Sequence, residues 1–151
     1  MISKRQTEIP VSVLWSYREF KRDEVPAPRF PFMHMHSVAE IKDDIQVNGL
    51  EPLELSIIKH TALLTDGNHR IVAARQLGYG MVPVEIVVYF GSGADTFYEH
   101  TLNRFKPIDK RLEEILRRVF FKSDVSDNNI IQALYPLHAL ALGLLLLSIL
   151  K

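Results

Sequence analysis

Thr61 to Tyr89 reads TALLTDGNHRIVAARQLGYGMVPVEIVVY, and this one stretch holds a strand, a sharp polar turn, a helix and a second strand. Ala62, Leu63 and Leu64 form a short apolar run that Asp66-Gly67-Asn68 breaks, after which Ile71, Ala74 and Leu77 recur at a helical spacing. Asn68 is the expected N-cap of that helix and Gly78 the expected left-handed residue that ends it. Val82 to Tyr89 is rich in β-branched residues and carries Pro83 near its start, where a missing N–H costs a strand least. A glycine turn that feeds a helix leaves backbone N–H groups unpaired at the positive end of the helix dipole. Gly67 lets a ligand approach the backbone, while His69 and Arg70 sit in the first turn, where a cation is unfavourable unless an anion lies opposite. The turn thus has two readings: a phosphate site, or an ordinary capped turn in which Asp66 pairs with Arg70.

Upstream, Glu8 to Trp15 alternates Ile9, Val11, Val13 and Trp15, the pattern of a half-buried first strand. Tyr17 to Phe32 mixes charge with three prolines and reads as a surface loop. His34 and His36 lack a third ligand nearby, so no metal site is expected of them. Ser37-Val38-Ala39-Glu40 is a capping box, with Val38, Ile41 and Ile45 as the apolar stripe of the helix it starts and Asn48-Gly49 as its stop. Leu53 to Ile58 is then a strand suited to burial between layers. Asp43, Asp44 and Glu51 are candidate acids near a ligand at the turn. Downstream, Asp95 to Asn103 can begin a helix, and Pro107 opens an amphipathic one with Ile108, Leu112, Ile115 and Val119 on one face. Its Glu113–Arg117 and Glu114–Arg118 spacings favour ion pairs over a nucleic-acid patch.

The segment TDGNHRIVAARQLGYGMVPVEIV resembles the signature of the ParB/sulfiredoxin superfamily, whose members set a GxxR or DGxHR-type turn and helix against a VPV strand. Ser37 to Ile57, SVAEIKDDIQVNGLEPLELSI, is similar to the element that precedes it, a short helix with an NGL-type stop, a proline and a strand. The likeness runs over about residues 8 to 110 and speaks to fold more than to activity. It implies an α/β (α+β) fold, a ParB/sulfiredoxin-like small mixed sheet with helices at 37–48 and 69–77 packed on it. It further implies a phosphate or nucleotide held by Gly67, Asn68, His69 and Arg70, with Asp66, His69 and Glu51 as candidate catalytic groups. In the partition-protein branch an ENxxR-like motif holds a nucleotide and its metal. YEHTLNRFKPID carries a loose form of it, which makes Glu99, Asn103 and Arg104 secondary nucleotide-side candidates and Mg2+ the companion of the nucleotide.

Other branches are set aside by residue content. Sulfiredoxins need a cysteine in the signature turn, and this chain has none. Partition CTPases carry a helix-turn-helix and a dimerisation domain beyond this unit, and too few residues follow Pro107 for either. What remains is a phosphate-handling enzyme, similar to the superfamily's free serine kinases and ParB-like nucleases, or a non-catalytic module that binds a nucleotide, DNA or a protein partner.

Composition bounds these alternatives. With 151 residues, 47% of them hydrophobic and 24% charged, one domain with a real core is expected. Eighteen basic residues against eighteen acidic ones give no net field to draw a polyanion, so sequence-independent DNA binding has no support from charge. The lack of cysteine and of an apolar h-region near the N-terminus points to the cytoplasm. A domain over residues 1–122 is expected to give way to a polar linker and a helical C-terminal tail over 123–151. That tail includes Ala133 to Leu150, ALYPLHALALGLLLLSIL, 18 residues without a formal charge but with Pro136, His138 and Gly143 among them. Burial against this domain, a second copy or a partner protein is expected of it ahead of membrane insertion, because a spanning helix wants about 20 apolar residues.

Overall fold

A computed structural model describes residues 2–19, 37–91 and 97–120. They form a mixed α/β fold around a five-stranded sheet in the order β1-β4-β2-β3-β5. The strands are β1 (Ile2–Pro10), β2 (Leu53–Ile58), β3 (Thr61–Asp66), β4 (Met81–Tyr89) and β5 (Lys106–Pro107), and the helices are α1 (Val11–Leu14), α2 (Val38–Asn48), α3 (Asn68–Gln76), α4 (Glu99–Leu102) and α5 (Lys110–Phe120). β2 and β4 run parallel, joined through β3 and α3, and the other three pairings are antiparallel. Residues 20–36, the 92–96 segment and everything from Phe121 onward, including the expected linker and tail, lie outside the described residues.

The expected mixed sheet and its central strand–turn–helix–strand unit are present. Leu53, Leu55 and Ile57 of β2 share one face with Val82, Val84, Ile86 and Val88 of β4, and this face meets Leu14, Tyr17, Ile71, Ala74, Leu112, Leu116 and Phe120 in the main core. Alternation along both strands puts these side chains on the same side, as the period of two demands. Pro83 sits one residue before the β2 ladder opens at Leu53 and Val84, so its missing N–H breaks no bond to β2. The capping box also forms as expected: Glu40 N–H donates to Ser37 Oγ at 3.1 Å and Ser37 N–H donates to Glu40 Oε2 at 2.9 Å.

Four elements differ from the sequence reading. The first strand is Ile2–Pro10, not Glu8 to Trp15, because β4 offers nine consecutive partners from Tyr89 back to Met81 and Pro10 then delivers the chain into α1. Val11, Leu14 and Tyr17 recur at a helical spacing as well as an apolar one, and all three are buried. Asn68 is the first residue of α3 and its N-cap is Gly67. The C-terminal helix begins at Lys110, since Pro107 pairs with Thr61 in β5 and Asp109 Oδ1 accepts from Leu112 N–H at 2.9 Å as the cap. This turns its buried stripe to Leu112, Leu116 and Phe120, with Ile108, Ile115 and Val119 only partly buried. Finally, α4 is a single turn, with Asn103 as its C-cap.

Tyr17 ties this C-terminal region to the core. Its hydroxyl accepts from Asp109 N–H at 2.8 Å and donates to Pro107 C=O at 3.5 Å, and the side chain is 1% exposed. Burial disfavours the phenolate and pushes its pKa up to about 12. A proton held more tightly in the folded state gives stability that is complete below the unfolded value near 10 and is lost as pH rises from there through 12. Tyr17→Phe should therefore cost about 1–2 kcal/mol at pH 8. Urea denaturation of both proteins between pH 8 and 12 should show the gap closing and reversing as wild type loses about 2–3 kcal/mol more than the variant, Tyr89 titrating in both.

Candidate functional site

The site is built where β3 ends. Glu54 pairs with Asp66 but Leu55 pairs with Leu64, so Thr65 is an extra residue bulged out of the ladder. Its hydroxyl lies 2.8 Å from Ser56 Oγ and donates to Glu54 Oε1 at 2.9 Å. Immediately afterwards Gly67 takes φ +94° and starts α3. A Cβ at Gly67 would lie 2.6 Å from Leu53 Cγ, so the backbone there is pressed against a fully buried core side chain. Both the positive φ and the contact require glycine.

The side chains of the turn divide into those already engaged and those open to a cavity. Asn68 is engaged twice, with Oδ1 accepting from Glu19 N–H at 2.9 Å and Nδ2 donating to Leu64 C=O at 2.8 Å. Arg70 donates from Nη1 to the carbonyls of Pro52 at 3.0 Å and Glu51 at 3.3 Å, and from Nη2 to Asp66 Oδ2 at 2.8 Å. Its guanidinium thereby clamps the α2–β2 connection to the β3–α3 turn, with the side chain only 21% exposed. The Glu51 carboxylate is 4.0 Å from the same guanidinium but 89% exposed, so it adds little. Gly67 offers no side chain to cap α3, and the helix has no side-chain cap hydrogen bond. Its first amides therefore keep their donor capacity toward the outside.

These amides open on a cavity of about 610 Å³ lined by Glu19, Glu40, Ile41, Asp44 and Thr65 to Arg70. Four carboxylates, those of Glu19, Glu40, Asp44 and Asp66, face one guanidinium and one imidazole there. Each acid has a fixed partner: Arg104 pairs with Glu19, Glu40 closes the capping box, Asp44 Oδ1 accepts from Asn48 Nδ2 at 2.7 Å, and Asp66 holds Arg70. His69 is half-buried; its Nε2 is covered and has no hydrogen-bond partner among the described residues, and burial lowers its pKa below the usual imidazole value. The imidazole is therefore neutral at pH 7.

Of the residues singled out in the sequence, Asp66, Gly67, Asn68, His69, Arg70 and Asp44 come together in this cavity, and Glu51 touches it only through Arg70. Arg104 reaches its rim by the ion pair with Glu19, whereas Glu99 and Asn103 are exposed and outside the lining. Glu19 and Glu40 were hidden: the Glu19–Asn68 bond spans 49 residues, which no local pattern reports, and Glu40 was already explained by its cap. Among the described residues no group of three or more His, Asp and Glu side chains is placed to hold a metal ion, and no helix is long and apolar enough to cross a membrane.

No family model matches this chain, and no curated protein matches it. Among solved structures it is similar to one described as the C2221 form of a Pnob8-like ParB-N domain, with a TM-score of 0.40 and 14% sequence identity over 64% of this chain. The match spans 34% of that chain. The class this fold defines is a small mixed α/β domain whose central unit is a strand, a glycine turn and a helix.

If Arg70 is first a clamp, its removal must register in stability. Arg70→Ala deletes charge-assisted bonds to two carbonyls and to Asp66 and should cost about 2–3 kcal/mol, with Arg70→Lys recovering part of it. Urea denaturation of the three proteins gives the comparison; an unchanged midpoint for Arg70→Ala would show that the clamp is not formed in solution.

Proposed function

We propose that this ParB-like domain binds the phosphate end of a nucleotide or another phosphoester, as its Mg2+ complex, in the cavity at the start of α3. The observation that carries the reading is the uncapped N-terminus of α3, whose amides face a cavity large enough for a nucleotide. A helix start of this kind favours an anion through both its free N–H groups and its dipole. Four carboxylates around the same space oppose a bare polyphosphate. A Mg2+ complex suits them better, since Mg2+ takes most of its ligands from phosphate oxygens and water and needs only one or two carboxylates. Asp66 and Asp44 are the acids on the turn and on α2 that would supply them. When bound, the ion would neutralise phosphate charge.

The roles of the turn residues follow from their engagements. Asn68 and Arg70 hold the shape of the site, and the backbone of Gly67 to Arg70 provides the donors. Hydrolysis of a phosphoester is a second reading: His69 is a neutral imidazole whose Nε2 has no partner among the described residues, but that atom is covered, so the ring would have to turn toward the cavity to accept a proton. A transfer reaction through an enzyme nucleophile has less support, because the one hydroxyl in the lining, Thr65, is tied to Glu54 and Ser56. The non-catalytic alternative, a module that keeps the fold for a protein partner, draws support from the fact that Asn68 and Arg70 are both spent on internal bonds.

A panel of nucleotides and simple phosphoesters, each with and without Mg2+, separates these readings. The proposal expects a higher melting temperature with Mg2+ present, at least about 2.7 kcal/mol of added stability at a hundredfold excess over Kd, and little change without the metal. His69→Gln should leave binding in place; if product forms with wild type, this variant should abolish it. A panel without any shift would leave the turn purely structural.

A further inference from the structure

We propose that the free edge of β1 is a self-association surface, on which β1 of a second copy of this chain pairs antiparallel about a two-fold axis at Gln6. Among the described residues β1 is the outer strand of the sheet and has only β4 beside it. Lys4, Arg5 and Gln6 are consecutive and all exposed, so both faces of the strand are open at its centre. An open strand edge of nine residues presents unpaired N–H and C=O groups, the template for strand addition.

The phase of the ladder says which groups these are. In an antiparallel pair the polar groups of successive residues point alternately toward the partner and away. Val11 N–H donates to Gly80 C=O at 2.9 Å, so the odd-numbered residues of β1 face β4 and Ile2, Lys4, Gln6, Glu8 and Pro10 face the free edge. Both prolines agree: Pro10 has no N–H to leave bare at that edge, and Pro83 stands opposite Glu8, where β1 turns its polar groups away. Arg5 Nη1 donates to the Lys4 carbonyl at 2.9 Å, so this one edge-facing acceptor is engaged within the monomer, and the exposed Arg5 side chain must share or release it when a second strand pairs.

Self-pairing closes bonds only where edge-facing residues meet edge-facing residues, and Gln6 is the midpoint of the strand, so the register centred there overlaps all of it. In that register Lys4 meets Glu8 of the second copy, twice by symmetry, and Ile2, a half-exposed apolar residue, meets Pro10. Opposite charges directly across a ladder are favourable. Centring on Arg5 would set two guanidinium groups against each other, and centring on Thr7 would leave Lys4 opposite Pro10, so charge selects the Gln6 register. The interface is a strand edge and is smaller than a standard one, which makes the association weak and reversible.

Sedimentation velocity of the full chain between about 10 µM and 1 mM tests this, since weak interfaces dissociate in that range. Wild type should show a monomer–dimer equilibrium. Glu8→Lys leaves the Lys4–Glu85 pair of 3.2 Å in place but sets lysine against lysine across the edge, and Lys4→Glu sets glutamate against glutamate; each should weaken association at least about tenfold. Mixing the two variants in equal amounts makes every cross-edge pair opposite in sign and should restore dimers, with melting curves confirming that both are folded. A wild type that stays monomeric, single variants that associate as tightly as wild type, or a mixture that remains monomeric would each overturn the proposal.

Discussion

The contact between the backbone of Gly67 and the side chain of Leu53 is the constraint on which the rest of the described structure depends. Leu53 is the first residue of the central strand β2 and is fully buried, so its position is set by the core. A glycine with φ +94° is what lets β3 stop and α3 begin within a bond of it. Packing there fixes the direction of α3, and with it the side from which Ile71 and Ala74 enter the core and the direction its first amides face. The bulge at Thr65 and the bonds of Asn68 and Arg70 secure the same turn from its other sides.

This arrangement accounts for a division of labour within five residues. Arg70 and Asn68, the two long or branched polar groups, bind the protein to itself, one across to the α2–β2 connection and the other to Glu19 and Leu64. What remains for a ligand in the cavity is backbone and carboxylates that already have partners, beside a neutral imidazole whose Nε2 is covered. Such a surface offers hydrogen-bond donors without net positive charge. Its selectivity would come from shape and a companion cation, because opposing carboxylates penalise an uncomplexed anion in a partly enclosed space.

Much of this was legible in the sequence because the decisive signals are local. The period of the apolar residues reveals β2, β3, β4 and α3, and Ser37 with Glu40, only three residues apart, announces α2 by its capping box. The bounds of the first strand are not legible, because Ile9, Val11 and Val13 satisfy a strand period while Val11, Leu14 and Tyr17 satisfy a helical one, and only the partner strand decides between them. Ser3 to Glu8 carry little apolar signal at all; they are a strand because β4 pairs with them. Composition favours Asn68 as the cap, yet the positive φ the turn requires falls on Gly67 and frees the asparagine side chain for a distant backbone. The cavity itself combines segments 19, 40–44 and 65–70, and no single window of sequence contains it.

Two glycines allow the central constraint to be measured apart from backbone strain. Gly78 ends α3 in the left-handed Schellman conformation, φ +85°, with nothing near the position of a Cβ, whereas Gly67 has φ +94° and Leu53 Cγ at 2.6 Å. Gly78→Ala should cost about 1 kcal/mol from conformation alone, and Gly67→Ala about 2–4 kcal/mol from conformation plus overpacking. Urea unfolding of the two variants beside wild type is the direct test. The account predicts that Gly67→Ala is the more destabilised by a clear margin and that shortening its neighbour, in Gly67→Ala/Leu53→Ala, costs less than the two changes added separately. Equal losses for Gly78→Ala and Gly67→Ala, or strict additivity in the double variant, would contradict it.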